Sequence, residues 1–157
     1  MNTNVLTKEN LLIHWQGHRT LTRRTLELFP EKELFEFSLG GMRPFSSMVH
    51  ELIAIAVPGL QQFLSNSPQN FEERSDVYQN KAELLAQWDQ DTATIDSLYR
   101  QIPEADFNRN YNLFGQFDNS LIHHLFYFID NEVHHRAQAY VYLRALNIQP
   151  PYFWERQ

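Results

Sequence analysis

The chain has no cysteine among its 157 residues. That excludes disulfides, thiolate-bound zinc and a cysteine nucleophile, so any thiol chemistry would need a thiol brought by the substrate. Only 5 glycines are present, and none builds a phosphate-cradling loop or a nucleophile elbow. No apolar run approaches the ~20 residues that span a bilayer. The opening "MNTNVLTKEN" lacks the basic-then-apolar pattern of a secretory leader. Cations are scattered, with Arg23 and Arg24 the one adjacent pair, and the formal charge is −6 with a pI of about 5.6. No basic stripe for nucleic acid can be assembled from them. These absences lead to the expectation of a single domain over residues 1–157, located in the cytoplasm, with neither a membrane nor a nucleic acid as partner.

What the chain does have is helical periodicity. Apolar residues recur every three or four positions, and β-branched alternation is rare. Four helices are expected, over about residues 7–29, 44–64, 81–102 and 119–146. The first carries Leu11, Leu12, Trp15, Thr22, Leu26 and Phe29 on one stripe, with Thr7 as N-cap and Pro30 beyond its end. The second is apolar nearly all round, as a buried helix is, and Pro58–Gly59 should kink or split it. The third sets Leu84, Leu85, Trp88, Ile95, Leu98 and Ile102 inward, with Asn80 and Glu83 spaced as a capping box. The fourth presents Leu121, Leu125, Phe128, Ile129, Val133, Ala137, Val141 and Leu143, and Asn147 suits its C-terminal stop. The tail "PPYFWERQ" is expected to lay its aromatics against the outside of the bundle.

An all-α four-helix bundle follows. The connections, residues 30–43, 65–80 and 103–118, could each reach about 45 Å at ~3.3 Å per residue, against about 33 Å for a helix of about 22 residues. Parallel neighbours joined by a crossover are therefore allowed, and a plain hairpin order is not forced.

Several polar residues interrupt this pattern. His50 shares its helical face with Ile53, Ala54 and Val57. A buried imidazole must find a hydrogen-bond partner or a metal, and the sequence leaves both open. Glu51 points about 100° away, toward the surface. In "FIDNEVHHRAQAYVYLRAL", Asn131 and His135 lie four apart on one face, the spacing by which a helix offers two ligands to one ion. Imidazole suits zinc, nickel, iron or copper, whereas an amide carbonyl is a weak, hard donor. His134 points elsewhere, to solvent or a subunit contact. Glu132 and His135 match one half of a diiron Glu-x-x-His pattern whose second copy is missing. His14 and His18 form a rival pair, chemically stronger as ligands but set among Gln16, Arg19 and Thr20 with Gly17 between them. His123 and His124 are read as structural, His124 being about 16 Å along the axis from His135 at ~1.5 Å per residue.

The stretch "NEVHHRAQAYVYLRALNIQPP" is similar to the C-terminal signature of the DinB/YfiT-like proteins, which ends in His-Arg-Gly-Gln on the last bundle helix. "RPFSSMVHELIAIAVPGLQQF" resembles their second helix with its solitary histidine, and the resemblance runs from Trp15 to Pro150–Pro151. It implies a bundle in up-down-down-up order, a homodimer, and a divalent metal, nickel or zinc. In the family that ion is held by one His of the second helix and a His-x-x-x-His pair of the fourth. Carried over by position, the ligands would be His50, Asn131 and His135, with Asn131 standing where the family has histidine. The implied site is two-His with an amide or water, filled substoichiometrically. Ala137 replaces the usual glycine, and Gln138 matches the motif where it could orient a water or substrate.

The resemblance further implies a metal-dependent hydrolase or thiol S-transferase acting on a small molecule, including a low-molecular-weight thiol, with Glu51 or Glu132 as candidate base. The alternative is a non-catalytic ligand-binding or stress-response interaction module with a degenerate metal site. A metal held instead by His14 and His18 is a third expectation.

Overall fold

The computed structural model describes residues 5–157, so the reading of the opening stretch as leaderless falls partly outside the described residues. Four long helices dominate: α1 (Lys8–Leu28), α3 (Phe45–Ser65), α4 (Lys81–Gln101) and α5 (Leu121–Ala145), with a short α2 (Glu31–Glu36) after the first. The molecule is mostly helical, as the periodicity requires. The third connection differs from expectation. It holds a 3₁₀ turn (Glu104–Asn108) and an antiparallel hairpin of β1 (Asn110–Leu113) and β2 (Phe117–Ser120), paired from Asn110↔Ser120 to Leu113↔Phe117. Its loop sets Phe114 at φ 54° and Gly115 at φ 68°. A phenylalanine in the left-handed region is strained. The buried Phe114 ring, 5.4 Å from that of Phe71, offsets the cost.

The helix ends follow their sequence signals closely. Thr7 accepts from the Asn10 amide at 3.1 Å, and Asn80 accepts from the Glu83 amide at 2.9 Å. The returning arm of the capping box lands one residue early, on the Gln79 amide at 2.8 Å. Asn119 stays in β2, so α5 starts at Leu121 with Ser120 as its cap. Asn147 ends the fourth segment at φ 59°, a conformation asparagine tolerates.

Three expectations are corrected. Pro58–Gly59 does not split the second segment, because α3 runs unbroken through Pro58. Gly59 serves close approach instead: a Cβ there would lie 2.5 Å from Cζ of Phe128. The room it leaves lets Phe128 stack on Phe63 with centroids 6.0 Å apart. On α5, Ala137 and Val141 face solvent, and Ala139, Tyr142 and Leu143 carry the core. Steps of four residues overshoot a full turn by about 40° each, so the ridge that starts at Ile129 rotates outward. The tail, finally, docks through backbone and charge. Arg24 donates to the Glu155 carbonyl at 2.8 Å, and a Cβ on Gly17 would sit 3.1 Å from the Arg156 carbonyl. The rings of Tyr152, Phe153 and Trp154 are exposed.

Both α1 and α3 pack against α4 and α5. Tyr99 donates to the Lys8 carbonyl at one end of α1 and α4, and Lys81 to the Phe29 carbonyl at the other. Trp15 meets Phe128 across α1 and α5. Two apolar clusters fill the interior. One gathers around Trp15, Leu60, Phe63, Tyr99 and Phe128, the other around Phe29, Phe45, Met48, Trp88 and Leu143. Buried polar residues on the long helices include Arg19 and Thr22 on α1, His50 and Gln62 on α3, Asp91 on α4, and His124, Glu132, His135 and Arg136 on α5. Those near the middle of α1, α4 and α5, joined by His50 and Glu51 in the second turn of α3, make a polar layer where the candidate site lies.

Candidate metal centre and adjoining cleft

His50 sits in the second turn of α3 with its Nδ1 2.7 Å from the Ser46 carbonyl one turn back. A carbonyl only accepts, so Nδ1 carries the proton and Nε2 keeps its lone pair. That Nε2 is buried and has no hydrogen-bond partner. The ring stacks on Tyr78, centroids 5.7 Å apart.

His135 on α5 is fixed in a parallel way. Its Nδ1 lies 2.9 Å from Oε1 of Gln138, whose amide nitrogen faces the sulfur of Met42 at 3.3 Å. Here too Nδ1 faces an acceptor, but Nε2 is not free: it points at a carboxylate on α3. A ligating histidine has one nitrogen anchored to an acceptor and the other left open, as His50 does.

Across from His135 stands Glu51. Its Oε1 lies 3.2 Å from His135 Nε2 and accepts from Asn131 Nδ2 at 3.1 Å. Its other oxygen pairs with Arg43, which reaches on to Glu73 at 3.1 Å. Burial alone would push the Glu51 carboxyl up. Hydrogen bonds from Asn131, Arg43 and His135 outweigh it and hold the group below its ordinary value.

Of the residues expected as ligands, Asn131 and His135 are brought together opposite Glu51, and no hydrogen bond joins His50 to them. Among the described residues, no three His, Asp or Glu side chains form a ready ligand cluster. Glu51 corrects the expectation of a surface residue. The 100° that separates it from His50 turns it onto α5, since α3 is covered by α4 on one side and α5 on the other. The spacing that could have revealed it is Glu51, Ile55, Gly59, Phe63, the stripe by which α3 meets α5.

Glu132 faces the opposite way. Thr22 donates to its Oε1 at 2.6 Å, Arg136 lies 3.8 Å off, and burial pushes its carboxyl up. It belongs to the α1–α5 interface and cannot serve as a base for the Glu51 site. His14 and His18 do meet, Nε2 to Nε2 at 3.2 Å. Arg136 donates to His18 Nδ1 at 2.9 Å, however, and Arg156 lies 3.1 Å from His18 Nε2. Burial first, then these guanidinium charges, holds the His18 pKa down to about 3, and the same positive surroundings oppose a metal cation. His134 is exposed. His124 ties α5 to the hairpin through the Tyr111 carbonyl at 3.0 Å, as a structural residue would. His123, expected to be structural, is exposed and stands in the wall of a cleft.

That cleft, of about 560 Å³, opens between α3, α5 and the hairpin. Glu51 lines it together with Glu73, Asp118, Phe117 and Tyr127, so one carboxylate joins the polar layer to a space of small-molecule size. The strained Phe114 and its partner Phe71 form part of the same wall.

A mostly helical molecule with a polar interhelical layer opening on a cleft defines the class: a helical protein with a candidate small-molecule site between α3 and α5. The sequence model of the DinB family matches residues 1–156, and the chain belongs to that family. A DinB-like protein from Bacillus cereus ATCC 10987 shares its fold with TM-score 0.73 at 17% identity, over 92% of this chain and 95% of that one. A DinB-like protein from Bacillus subtilis does so with TM-score 0.70 at 14% identity, over 94% and 99%. At such identities the likeness is one of fold. No curated protein matches the chain by sequence. Among the described residues, no helix is long and apolar enough to cross a membrane.

Proposed function

We propose that this protein is a metal-dependent enzyme acting on a small molecule, a hydrolase or thiol S-transferase. The divalent ion, nickel or zinc, would be held between α3 and α5 by His50, Asn131 and His135. The observation that carries the reading is the tautomer of the two histidines. Each sets Nδ1 against a fixed acceptor, Ser46 O or Gln138 Oε1, and turns Nε2 away from it, unpaired in His50 and facing Glu51 Oε1 at 3.2 Å in His135. For His50 that open nitrogen is buried and unpaired, at a cost that a ligand would relieve. Glu51 adds a carboxylate beside His135, which could complete the donor set or accept a proton from a substrate. A divalent ion so placed would polarise a substrate or favour a thiolate, chemistry a chain without cysteine cannot supply itself.

This chain's residues would do the rest. Gln138 orients His135, Arg43 holds Glu51, and aromatic rings wall the cleft beside them. We further propose the order up-down-down-up for α1, α3, α4 and α5. Its support is that α1 meets α4 end to start, at Lys8–Tyr99 and Phe29–Lys81. Opposite ends of α3 and α5 meet likewise, at Glu51–His135 and Phe63–His124. A cytoplasmic homodimer belongs to the same reading, and the exposed Tyr152, Phe153 and Trp154 offer apolar area for such a contact.

The test is zinc and nickel titration of untagged protein by calorimetry. Wild type is expected to bind, with affinity lost in both His50→Ala and His135→Ala and kept in His14→Ala. Binding that survives both of the first two substitutions, or vanishes in His14→Ala alone, would overturn the assignment.

A further inference from the structure

The cleft beside Glu51 has a charge and a lining that select among ligands. Three carboxylates line it, those of Glu51, Glu73 and Asp118, and its lining includes no lysine or arginine. The nearest guanidinium, Arg43, divides itself between Glu51 and Glu73. Among the described residues Asp118 has no salt-bridge partner within reach, and it stands on β2, across the cleft from α3. Three negative groups against one positive leave an unbalanced negative field in a partly enclosed space, where field lines are focused and poorly screened.

The same walls are aromatic. Phe117 and Tyr127 line the cleft and remain 57% and 48% exposed, a poor use of such rings unless something covers them. Aromatic faces carry negative charge density and attract cations, more strongly when water is excluded. A carboxylate ligand would meet repulsion from both features, and a neutral apolar one would leave Asp118 uncompensated.

We propose that this cleft binds a small organic cation: a primary or quaternary amine carried on an aromatic or apolar body. The ammonium group is held by Asp118 and Glu73, and the body lies among Phe117, Tyr127 and Phe71. The proposal rests on reading the cleft as the substrate site, but it does not require the metal. With an ion bound near Glu51, the carboxylates of Asp118 and Glu73 remain for the amine.

The probes are tryptamine and its matched acid, indole-3-propionate, titrated by NMR into the full chain after chelator treatment. Tryptamine is expected to bind about tenfold tighter or more than the acid, and to weaken several-fold as salt rises from ~0.02 to ~0.5 M. Asp118→Asn combined with Glu73→Gln should abolish the preference, and Phe117→Ala should weaken tryptamine binding. Equal binding of the two probes, a preference for the acid, no binding of tryptamine, or a preference that survives the double substitution would each overturn the proposal. The metal reading is scored separately by zinc titration of the same proteins. Lost zinc binding with intact tryptamine selectivity sinks the metal centre alone, and the converse sinks the amine site alone.

Discussion

Nε2 of His135 faces Oε1 of Glu51 across 3.2 Å, while Nδ1 of the same ring already faces Oε1 of Gln138 at 2.9 Å. Both ring nitrogens point at acceptors. A neutral imidazole has one N–H to give, so one of these contacts sets lone pair against lone pair unless a second proton or a cation stands between. Within the polar layer, this is the place where a positive charge is called for.

Glu51→Gln should therefore lower zinc affinity, because an amide can donate to His135 Nε2 and satisfy it without an ion. A loss of about 10–100-fold is expected, the range for residues that support a metal site. Asn131→His should act in the opposite sense by replacing a weak donor with an imidazole. Calorimetric titration of the two variants beside wild type checks both directions.

Glu132 is expected to matter for stability and not for metal. It is a buried carboxylate between Thr22 and Arg136, and its removal strands buried guanidinium groups. Glu132→Ala should cost about 3–5 kcal/mol in urea unfolding while leaving zinc affinity, measured under folding conditions, as in wild type.

Gly59→Ala tests the α3–α5 contact. The added methyl would meet Phe128 at 2.5 Å, so a net loss of about 1–3 kcal/mol is expected from overpacking, despite the better helix propensity of alanine. Adding Phe128→Leu, which removes the obstructing ring edge, should recover part of that loss. Chemical denaturation of the single and double variants reads the coupling.

Acid should destabilise the protein before its carboxylates titrate. His18 is held from its ordinary 6.5 down to about 3, so below pH 6.5 the unfolded chain takes up a proton that the native one refuses. Unfolding free energy then falls with pH by about 1.4 kcal/mol per unit for that proton, until native His18 itself protonates. Burial depresses His14 and His124 in the same direction. Urea midpoints between pH 7 and 5 should drop in wild type and drop less in His18→Gln.

The four long helices were legible because apolar residues recur at helical spacing over about six turns, and Thr7 and Asn80 cap two of them. Trp15, Trp88 and Leu121 fell where periodicity put them. The hairpin was not legible. Its strands are four residues each, too short for alternation to stand out, and its turn depends on a strained Phe114 that burial rescues. Val141 was misread because a run of four-residue steps drifts around a helix. Spacing put Asn131 and His135 on one face, where both contact Glu51, but it did not point to Glu51. A helix covered on two sides has no single inward direction, so helical phase alone could not say which of His50 and Glu51 faces α5.

The most direct test is a crystal of the zinc-soaked, untagged protein, with anomalous data collected at the zinc edge. The account predicts one peak between α3 and α5, about 2.0–2.1 Å from Nε2 of His135 and of His50, with Asn131 or Glu51 completing the shell. A peak at His14 and His18, or none at His135 under saturating zinc, would contradict it.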